Sequence, residues 1–519
     1  MSLSRLSSLF SVAILMLGVA LPAAAQRQIS FDAYALPESG TVAVPVREGN
    51  VDSGAFADLD AATSGALSRA VAAAGFKGRA ESRLDLPGIA GFDRVLLVGV
   101  GKDEVTPRVL EDFGGLVGQM AARSTAPRID VLWRGDEADA ASHIAFGAAL
   151  GGYRFDKYRS GGGDDDESPR AGHGDLVIRT IAGAAAAAHY ESQWKPVAEA
   201  VAFSRDLVTE PGNVVWPEVF VERAREALAG LPNVSIEVLD VAAMERLGMG
   251  AILSVGQGSQ RPPRMMVMRY DGGAAGEKPL AFVGKGITFD TGGISIKGST
   301  GMWRMKYDMT GAAVVTGAVK ALAGRRAPVN VVAVAALAEN MPSGTAARPG
   351  DVVRSASGKT IEIMSTDAEG RMVLVDGLWY VQDRHDPAVV VDIATLTGAV
   401  VGALGGDYAG LFSRDDALAD QLLAAGEQSG DLLWRLPLHH TYGQGLSSPI
   451  ADIRNGGGRP GAGTAAHFLG EWVDEGRPWA HLDIAGMAWI ETGGRPTSPA
   501  GATAFGVRLF DRWVRDNHE

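Results

Sequence analysis

The segment from Val283 to Met309 places charged side chains among glycines directly after an apolar run. That run, Pro279 to Val283, is typical of a buried strand that ends in a turn at Gly284. In an open α/β sheet, ligands bind beyond the carboxyl ends of the strands, so Lys285 and Asp290 are expected where chemistry takes place. The segment therefore favours an α/β fold with a functional site at one edge of its sheet.

A second segment places two more acidic residues in a turn. Asp367 and Glu369 lie between a predicted strand, residues 361–364, and a predicted helix, residues 371–381. Two carboxylates two residues apart can converge on one ion in a tight turn, whereas in a solvated loop they would repel each other. Mg²⁺ and Mn²⁺ prefer such oxygen ligands, and Zn²⁺ accepts them. Each Asp alone is more typical of a turn or a helix cap, but the two segments together predict a divalent-metal site.

These segments and the stretches that follow them resemble the leucyl aminopeptidase family, di-metal peptidases that are also called cytosol aminopeptidases or, in bacteria, aminopeptidase A. The matching stretches are residues 283–297, 305–309, 366–371, 392–398, 452–460 and 478–486. The resemblance implies a small N-terminal α/β domain and a larger C-terminal α/β peptidase domain with a mostly parallel central sheet, assembled as a homohexamer. It also implies a metallo-exopeptidase that releases N-terminal residues from peptides through a metal-bridged water.

The resemblance also assigns roles to individual residues. It implies two divalent metal ions per subunit, Mn²⁺ or Zn²⁺, held by five ligands: Lys285, Asp290, Asp308, Asp367 and Glu369. A lysine must lose its proton to bind a metal ion, and two nearby cations favour the neutral amine. By the same resemblance, Lys297 stabilises the oxyanion of the tetrahedral intermediate, and Arg371 holds a bicarbonate ion that acts as a proton shuttle.

Six further residues are implied by the resemblance to line the substrate site, chiefly the pocket for the first side chain. They are Met302, Thr395, Leu396, Gly398, Ala485 and Ala488. Most of them are apolar or small, so we expect a leucine-like or methionine-like side chain in this pocket. One methylene group changes binding in such pockets by only about 1–3 kcal/mol, so broad specificity is expected.

The first 25 residues have the pattern of a signal peptide. Arg5 supplies the positive start, residues 9–21 form an apolar core, and three alanines at positions 23–25 precede Gln26. We therefore expect an exported protein, periplasmic or secreted, of a bacterium, with no stable association with a membrane after the leader is cleaved. The alternative is an uncleaved anchor.

The rest of the chain is long enough for two domains. Residues 26–190 alternate apolar runs with helical patterns, as an α/β domain does, and residues 184–200 indicate a helical link at its end. We expect the catalytic domain over residues 191–519. Its apolar runs suit a mostly parallel sheet that is buried on both faces, and they lie at residues 236–239, 265–268, 280–283, 329–335 and 389–393.

Two other functions remain open from the residues. One is a dipeptidase of the same family, and the other is a catalytically silent binding protein on this fold, as some relatives bind DNA. The formal net charge is −13, and it becomes −14 without the leader, which carries one Arg and no acidic residue. Such a surface repels nucleic acid, so peptides are the expected partners. The absence of Cys excludes thiolate metal ligands.

Overall fold

The structure is a computed structural model that describes residues 27–49, 54–159 and 172–519 of the 519-residue chain. The predicted signal peptide, residues 1–25, lies outside the described residues. Of the helices in the described part of the chain, none is long and apolar enough to cross a membrane.

A six-stranded sheet forms the core of the N-terminal part. Its strands are β1 (Gln28–Ala33), β2 (Thr41–Arg47), β3 (Arg83–Pro87), β4 (Arg94–Gly101), β5 (Arg128–Trp133) and β6 (Asp175–Thr180). The strand order is β1-β6-β5-β2-β4-β3, and all neighbours are parallel except β3 and β4. The helices of this part are α1 (Gly54–Ala62), α2 (Ala66–Ala74), α3 (Pro107–Ala121) and α4 (Ala138–Gly151). The predicted α/β class is confirmed for this part.

A continuous helical run connects the two parts of the chain. It consists of α5 (Gly183–His189), a π-helical turn (Tyr190–Trp194) and α6 (Lys195–Thr209), so the predicted helical link is confirmed. The predicted domain boundary between residues 190 and 191 falls inside this run and stays a prediction.

Arg205 on α6 joins the N-terminal part to the C-terminal part. Its guanidinium donates to the backbone oxygens of Leu150 (2.8 Å), Thr497 (2.9 Å) and Thr503 (3.2 Å). Arg205 is only 1% exposed, and burial lowers its pKa to about 10. One buried cation therefore satisfies carbonyl groups from both parts of the molecule.

The C-terminal part is built on an eight-stranded sheet with two small accessory sheets. Its strands are β7 (Val234–Leu239), β8 (Arg264–Asp271), β9 (Leu280–Asp290), β10 (Asn330–Asn340), β11 (Val352–Arg354), β12 (Thr360–Glu362), β13 (Val389–Ala394), β14 (Ala409–Ser413), β15 (Leu433–Arg435), β16 (Ile453–Arg454), β17 (Trp479–Asp483), β18 (Trp489–Arg495) and β19 (Ser498–Ala502). The large sheet has the order β15-β14-β17-β13-β9-β10-β8-β7. Its four central strands, β17 to β10 in that order, are mutually parallel.

Helices and apolar side chains cover both faces of this large sheet, as the apolar runs predict. The helices are α7 (Pro217–Leu228), α8 (Val241–Arg246), α9 (Gly250–Gly256), α10 (Thr310–Gly324), α11 (Glu369–His385), α12 (Gly398–Leu404), α13 (Asp416–Ser429), α14 (Gly461–Gly470) and α15 (Val507–Asn517), with two 3₁₀ helices at Met302–Met309 and His440–Leu446. The mostly parallel sheet is confirmed, although antiparallel pairings enclose the central strands on both sides.

The expectation that the strand after Pro279 ends at Gly284 is wrong. β9 continues to Asp290 and pairs with β10 as far as Asn340. The glycine serves packing here, because a Cβ at Gly284 would lie 2.4 Å from the backbone oxygen of Gly311 in α10. The close approach of α10 to β9 therefore requires glycine inside a strand, where the sequence alone suggests a turn.

His143 on α4 forms a buried ion pair with Glu111 on α3, and this pair predicts a pH-dependent stability. His143 Nδ1 lies 2.9 Å from Glu111 Oε1, and Nε2 lies 3.5 Å from Asp139 Oδ1. Burial disfavours the imidazolium, but the hydrogen bonds to Asp139 and Glu111 outweigh it and raise the pKa of His143 from 6.5 to about 9. A raised pKa stabilises the fold below pH 6.5, and this contribution is lost as the pH rises through 9.

We expect the free energy of unfolding of the wild type, relative to that of His143→Gln, to fall by about 3 kcal/mol between pH 6.5 and pH 9. Glutamine keeps a donor toward Glu111 but does not titrate. His143 also lowers the pKa of Asp139, but a carboxylate stays ionised between pH 6.5 and pH 9, so the difference between the two proteins reports the titration of His143. Urea unfolding of the two proteins at several pH values measures this difference. A difference that does not change with pH would contradict a charged His143 at neutral pH.

Candidate metal centre

Five of the predicted site residues come together at the carboxyl-terminal half of β9. Lys285 and Asp290 lie in β9 itself, and Asp308 lies in the 3₁₀ helix that precedes α10. Asp367 lies in the turn before α11, and Glu369 is the first residue of that helix. Three separate stretches of chain therefore contribute charged groups to one place, as expected for the carboxyl edge of an α/β sheet.

Lys285 lies at the buried end of this cluster. Its Nζ is 2.7 Å from Asp308 Oδ2 and 2.9 Å from Glu369 Oε1, and it donates to the backbone oxygen of Thr395 at 2.8 Å. Burial disfavours the ammonium, but the charges of Asp308 and Glu369 outweigh it and raise the pKa of Lys285 above its ordinary value. Gly370 leaves room for this side chain, because a Cβ there would lie 2.6 Å from Lys285 Cε.

Lys297 bridges the other two carboxylates. Its Nζ lies 2.8 Å from Asp290 Oδ2 and 2.5 Å from Asp367 Oδ1. The second oxygen of Asp290 accepts hydrogen bonds from Asn340 Nδ2 and the backbone N–H of Gly292, both at 2.8 Å. Asp290 is therefore fixed in orientation by the end of the neighbouring strand β10 and by its own turn.

The carboxylates have the arrangement and the electrostatics of a cation site. Oxygens of Asp290, Asp367 and Glu369 lie within 4.8 Å of one another. Burial and the charge of Asp290 raise the pKa of Glu369 to about 8, and burial also raises the pKa values of Asp308 and Asp367. Glu369 Oε2 is buried and has no hydrogen-bond partner among the described residues. A bound cation would stabilise the ionised form of these carboxylates, and their oxygens are the type of ligand that hard divalent cations prefer.

Arg371 lies in the first turn of α11, next to the cluster. Its Nη1 donates to the backbone oxygen of Asn455 at 2.8 Å, and the guanidinium lies 5.9 Å from the centre of the Phe468 ring. Burial lowers the pKa of Arg371 to about 10. Its Nε is buried without an acceptor in the described part of the chain, so one donor of this guanidinium is still available to a ligand.

The predicted substrate residues lie in several different environments. Thr395 is in direct contact with the cluster, because its Oγ1 donates to Asp308 Oδ1 at 2.7 Å. Leu396 and Ala485 follow β13 and β17, and the backbone N–H groups of both residues donate to Asp483 Oδ1, at 3.1 and 3.3 Å. Asp483 thus holds together the two loops that follow these parallel strands.

The other three predicted substrate residues have no contact of this kind with the described residues. Met302 begins the 3₁₀ helix that carries Asp308, and Gly398 is the exposed first residue of α12. Ala488 is 0% exposed and belongs to the apolar core, so its side chain presents no surface to a ligand. The roles of all six residues in substrate binding stay predictions.

Sequence reasoning did not find the polar residues that support the cluster. Asn340 at the end of β10 orients Asp290, and Asn455 accepts from Arg371 and receives the backbone N–H of Met364. Asn340 could have been found from the rule that places site residues at the ends of neighbouring parallel strands. Asn455 follows the two-residue strand β16 and lies in the matching stretch 452–460, but that resemblance did not assign it a role.

Family models match both parts of the chain. The model described as the cytosol aminopeptidase family, catalytic domain, matches residues 202–510. The model described as the N-terminal domain of the same family matches residues 43–162. The catalytic-domain match includes the whole eight-stranded sheet and every residue of the cluster, and the N-terminal match includes β3, β4, β5 and most of β2.

Curated relatives match over nearly their whole length. A probable cytosol aminopeptidase of Caulobacter vibrioides is 46% identical over 486 residues, which cover 93% of this chain and 97% of the relative. A protein with the same description from Rhizobium etli is 44% identical over 504 residues, which cover 95% of this chain and 99% of the relative.

Solved structures share the fold. A mutant of tomato leucine aminopeptidase superposes with a TM-score of 0.84 at 32% identity, covering 96% of this chain and 98% of that one. The bottromycin maturation enzyme BotP in complex with Mn superposes with a TM-score of 0.80 at 35% identity, covering 93% of this chain and all of that one. The similarity therefore extends over both parts of the molecule.

Proposed function

Because the chain belongs to the cytosol aminopeptidase family and is an aminopeptidase, we propose that it is a di-metal enzyme that releases leucine-like N-terminal residues from peptides with broad specificity. The observation that carries this proposal is the convergence of the Asp290, Asp367 and Glu369 oxygens within 4.8 Å of one another. Two lysines contact these carboxylates, so the cluster combines the ligands and the cationic group that such a reaction uses.

The five clustered residues Lys285, Asp290, Asp308, Asp367 and Glu369 are the proposed ligands of two divalent ions. When bound, such ions supply Lewis-acid chemistry, which makes a nucleophile from water at neutral pH and polarises the scissile carbonyl. Mn²⁺ and Zn²⁺ are the proposed metals, and the presence of Mn in the BotP structure supports a divalent ion for this fold.

The two lysines differ in exposure, and this difference supports different roles. The side chain of Lys285 is 3% exposed, whereas that of Lys297 is 25% exposed. A buried lysine can bind a metal ion only after it loses its proton. Without a metal ion, the carboxylates of Asp308 and Glu369 favour the protonated form of Lys285. Lys297 is accessible to substrate, and as an ammonium it would stabilise the negative charge that develops on the carbonyl oxygen.

Arg371 is proposed to hold a bicarbonate ion beside the reacting centre. The guanidinium is fixed by its hydrogen bond to Asn455, and its Nε has no protein acceptor among the described residues. A guanidinium binds a planar oxyanion through two parallel donors, and a bound bicarbonate could accept and return the proton during hydrolysis.

Removal of metal ions is expected to abolish hydrolysis of leucine p-nitroanilide. We expect the rate to fall by at least about a hundredfold after chelation. Without metal ions, the carboxylates and lysines pair with each other, and no group is left to activate water or polarise the carbonyl. Addition of Mn²⁺ or Zn²⁺ to the stripped protein should restore the rate, as measured by the absorbance of p-nitroaniline. Full activity in protein shown to contain no metal would refute the di-metal proposal.

A dipeptidase of the same family is the alternative within this chemistry, and peptide length distinguishes the two. The proposed aminopeptidase cuts Leu-Gly-Gly and longer peptides as well as Leu-Gly, whereas a dipeptidase leaves the tripeptide intact. A protein that is inactive on all of these with every metal would instead support the silent binding protein. A gel shift at low salt then tests nucleic acid as its ligand, which the net charge of −13 disfavours.

Location and assembly are proposed from the sequence alone. We propose export to the periplasm or the medium, which N-terminal sequencing of the protein from cell fractions tests by locating the cleavage after Ala25. We also propose a homohexamer, on the family resemblance alone, which light scattering of the purified protein tests. A protein that keeps its first 25 residues and stays in the cytosol would contradict export.

A further inference from the structure

A cavity of about 300 Å³ lies between the two parts of the molecule, away from the metal centre. Five helices line it: α3 and α4 from the N-terminal part, α6, and α13 and α15 from the C-terminal part. Its volume is at the lower end of the range of about 300–1,000 Å³ that is typical of small-molecule sites. The proposed peptidase reaction uses none of the residues that line it.

Three arginines bring hydrogen-bond donors to this cavity. Arg108 donates through Nε to Asp112 at 3.1 Å, and Arg512 donates through Nε to Asp516 at 2.9 Å. The terminal nitrogens of Arg108 and Nη1 of Arg512 have no acceptor among the described residues. Arg508, the third, is 10% exposed. Donors in a fixed planar arrangement suit a carboxylate or a similar oxyanion.

Three carboxylates line the cavity: Glu427 is exposed, whereas Glu111 and Asp511 are neutralised by other partners. Glu111 contacts both His143 and Arg508. Asp511 accepts from the guanidinium groups of Arg325, at 2.5 Å, and Arg515, at 2.8 Å. Because Glu111 and Asp511 are paired in this way, neither carboxylate competes with a ligand for the free donors of Arg108 and Arg512.

The remaining wall of the cavity is apolar. Phe146, Trp194 and Val197 line it and belong to the large apolar core. The guanidinium carbon of Arg508 lies over the Phe146 ring, 5.6 Å from the ring centre. An apolar group in this cavity would be removed from water, while an attached anionic group could reach the arginines.

We propose that this cavity binds a small organic carboxylate with an apolar side group, of the size of an N-acylated or free apolar amino acid. The carboxylate would bind Arg108 and Arg512, and the apolar group would pack against Phe146 and Trp194. Because Arg108 belongs to the N-terminal part and Arg512 to the C-terminal part, the ligand would connect the two and stabilise the folded protein.

Binding of N-acetyl-leucine by the full chain, measured by titration calorimetry at millimolar concentrations, tests this proposal. We expect one molecule per chain and a Kd that increases about tenfold or more in Arg108→Ala and in Arg512→Ala, since each loses a charge-assisted hydrogen bond. The matched control Arg225→Ala, an exposed arginine on α7, should keep the wild-type Kd. Circular dichroism of each variant confirms that it is folded.

Two further ligands test whether the carboxylate of N-acetyl-leucine, rather than its apolar group or anionic charge alone, is recognised. N-acetyl-leucinamide has the same apolar group without the carboxylate and should not bind, and inorganic phosphate should bind more weakly than N-acetyl-leucine. Equal binding of the amide, tighter binding of phosphate, an unchanged Kd in both cavity variants, or no heat with any carboxylate would each overturn the proposal. An unchanged Kd in the variants would place the ligand outside this cavity.

Discussion

Replacing Glu369 by Gln is expected to lower the rate of leucine p-nitroanilide hydrolysis by about a thousandfold or more. Glu369 is 4% exposed and lies 2.9 Å from Lys285, at the point where the proposed ligands converge. The amide has nearly the same shape but no charge, so it weakens the attraction for divalent ions, whose Lewis-acid chemistry contributes several kcal/mol. The initial rate at saturating Mn²⁺, together with the metal content of the purified variant, measures this effect.

The matched control for this substitution is Glu226→Gln. Glu226 is an exposed glutamate on α7, so its replacement changes the net charge equally without touching the cluster and should leave the rate unchanged. Glu369→Gln should remain folded, because the amide has nearly the same shape and its oxygen can still accept a hydrogen bond from Lys285 Nζ, which lies 2.9 Å from Oε1 of the glutamate. A variant that binds metal ions and hydrolyses substrate at the wild-type rate would show that Glu369 is not a ligand.

The sequence predicts best those contacts of the site that form between residues close together in the chain. Asp367 lies in the turn before α11 and Glu369 begins that helix, so their convergence follows from local geometry. The convergence of Lys285 with Asp308 depends on the packing of the 3₁₀ helix against β9, which spacing alone does not determine. The family resemblance supplied that pairing, because its motifs span both stretches.

What the sequence could not predict depends on contacts between distant strands. Gly284 suggested a turn because glycine is common in turns, yet it lies inside β9, where the backbone of Gly311 approaches. Asn340 orients Asp290 across a pairing of β9 with β10 that joins residues 50 positions apart. Such roles become visible only when strand order and register are known.

The connection between the two parts of the molecule was also hidden from the sequence. Residues 184–200 indicated a helix, but a helical pattern does not show which side chains cross from one part to the other. Arg205 would ordinarily be expected at the surface, whereas it is 1% exposed and has no carboxylate within hydrogen-bonding distance in the described chain. Its partners are a backbone oxygen in the last turn of α4, two backbone oxygens of the β18–β19 region and the hydroxyl of Ser498, all far away in sequence.

Arg205→Met is therefore expected to lower the free energy of unfolding by about 3 kcal/mol. Methionine keeps much of the apolar stem, but the backbone oxygens of Leu150, Thr497 and Thr503 lose their buried donor, at a cost of about 1–3 kcal/mol each. We expect the low end of the summed cost, because the substitution also removes the cost of burying a charged guanidinium. The lowered pKa of Arg205, about 10, reflects that cost. Urea unfolding measures the change, with Arg225→Met on the exposed face of α7 as the matched control. If both variants unfold at the wild-type urea concentration, water replaces the donor of Arg205, and the two parts of the molecule are held together by apolar contacts instead.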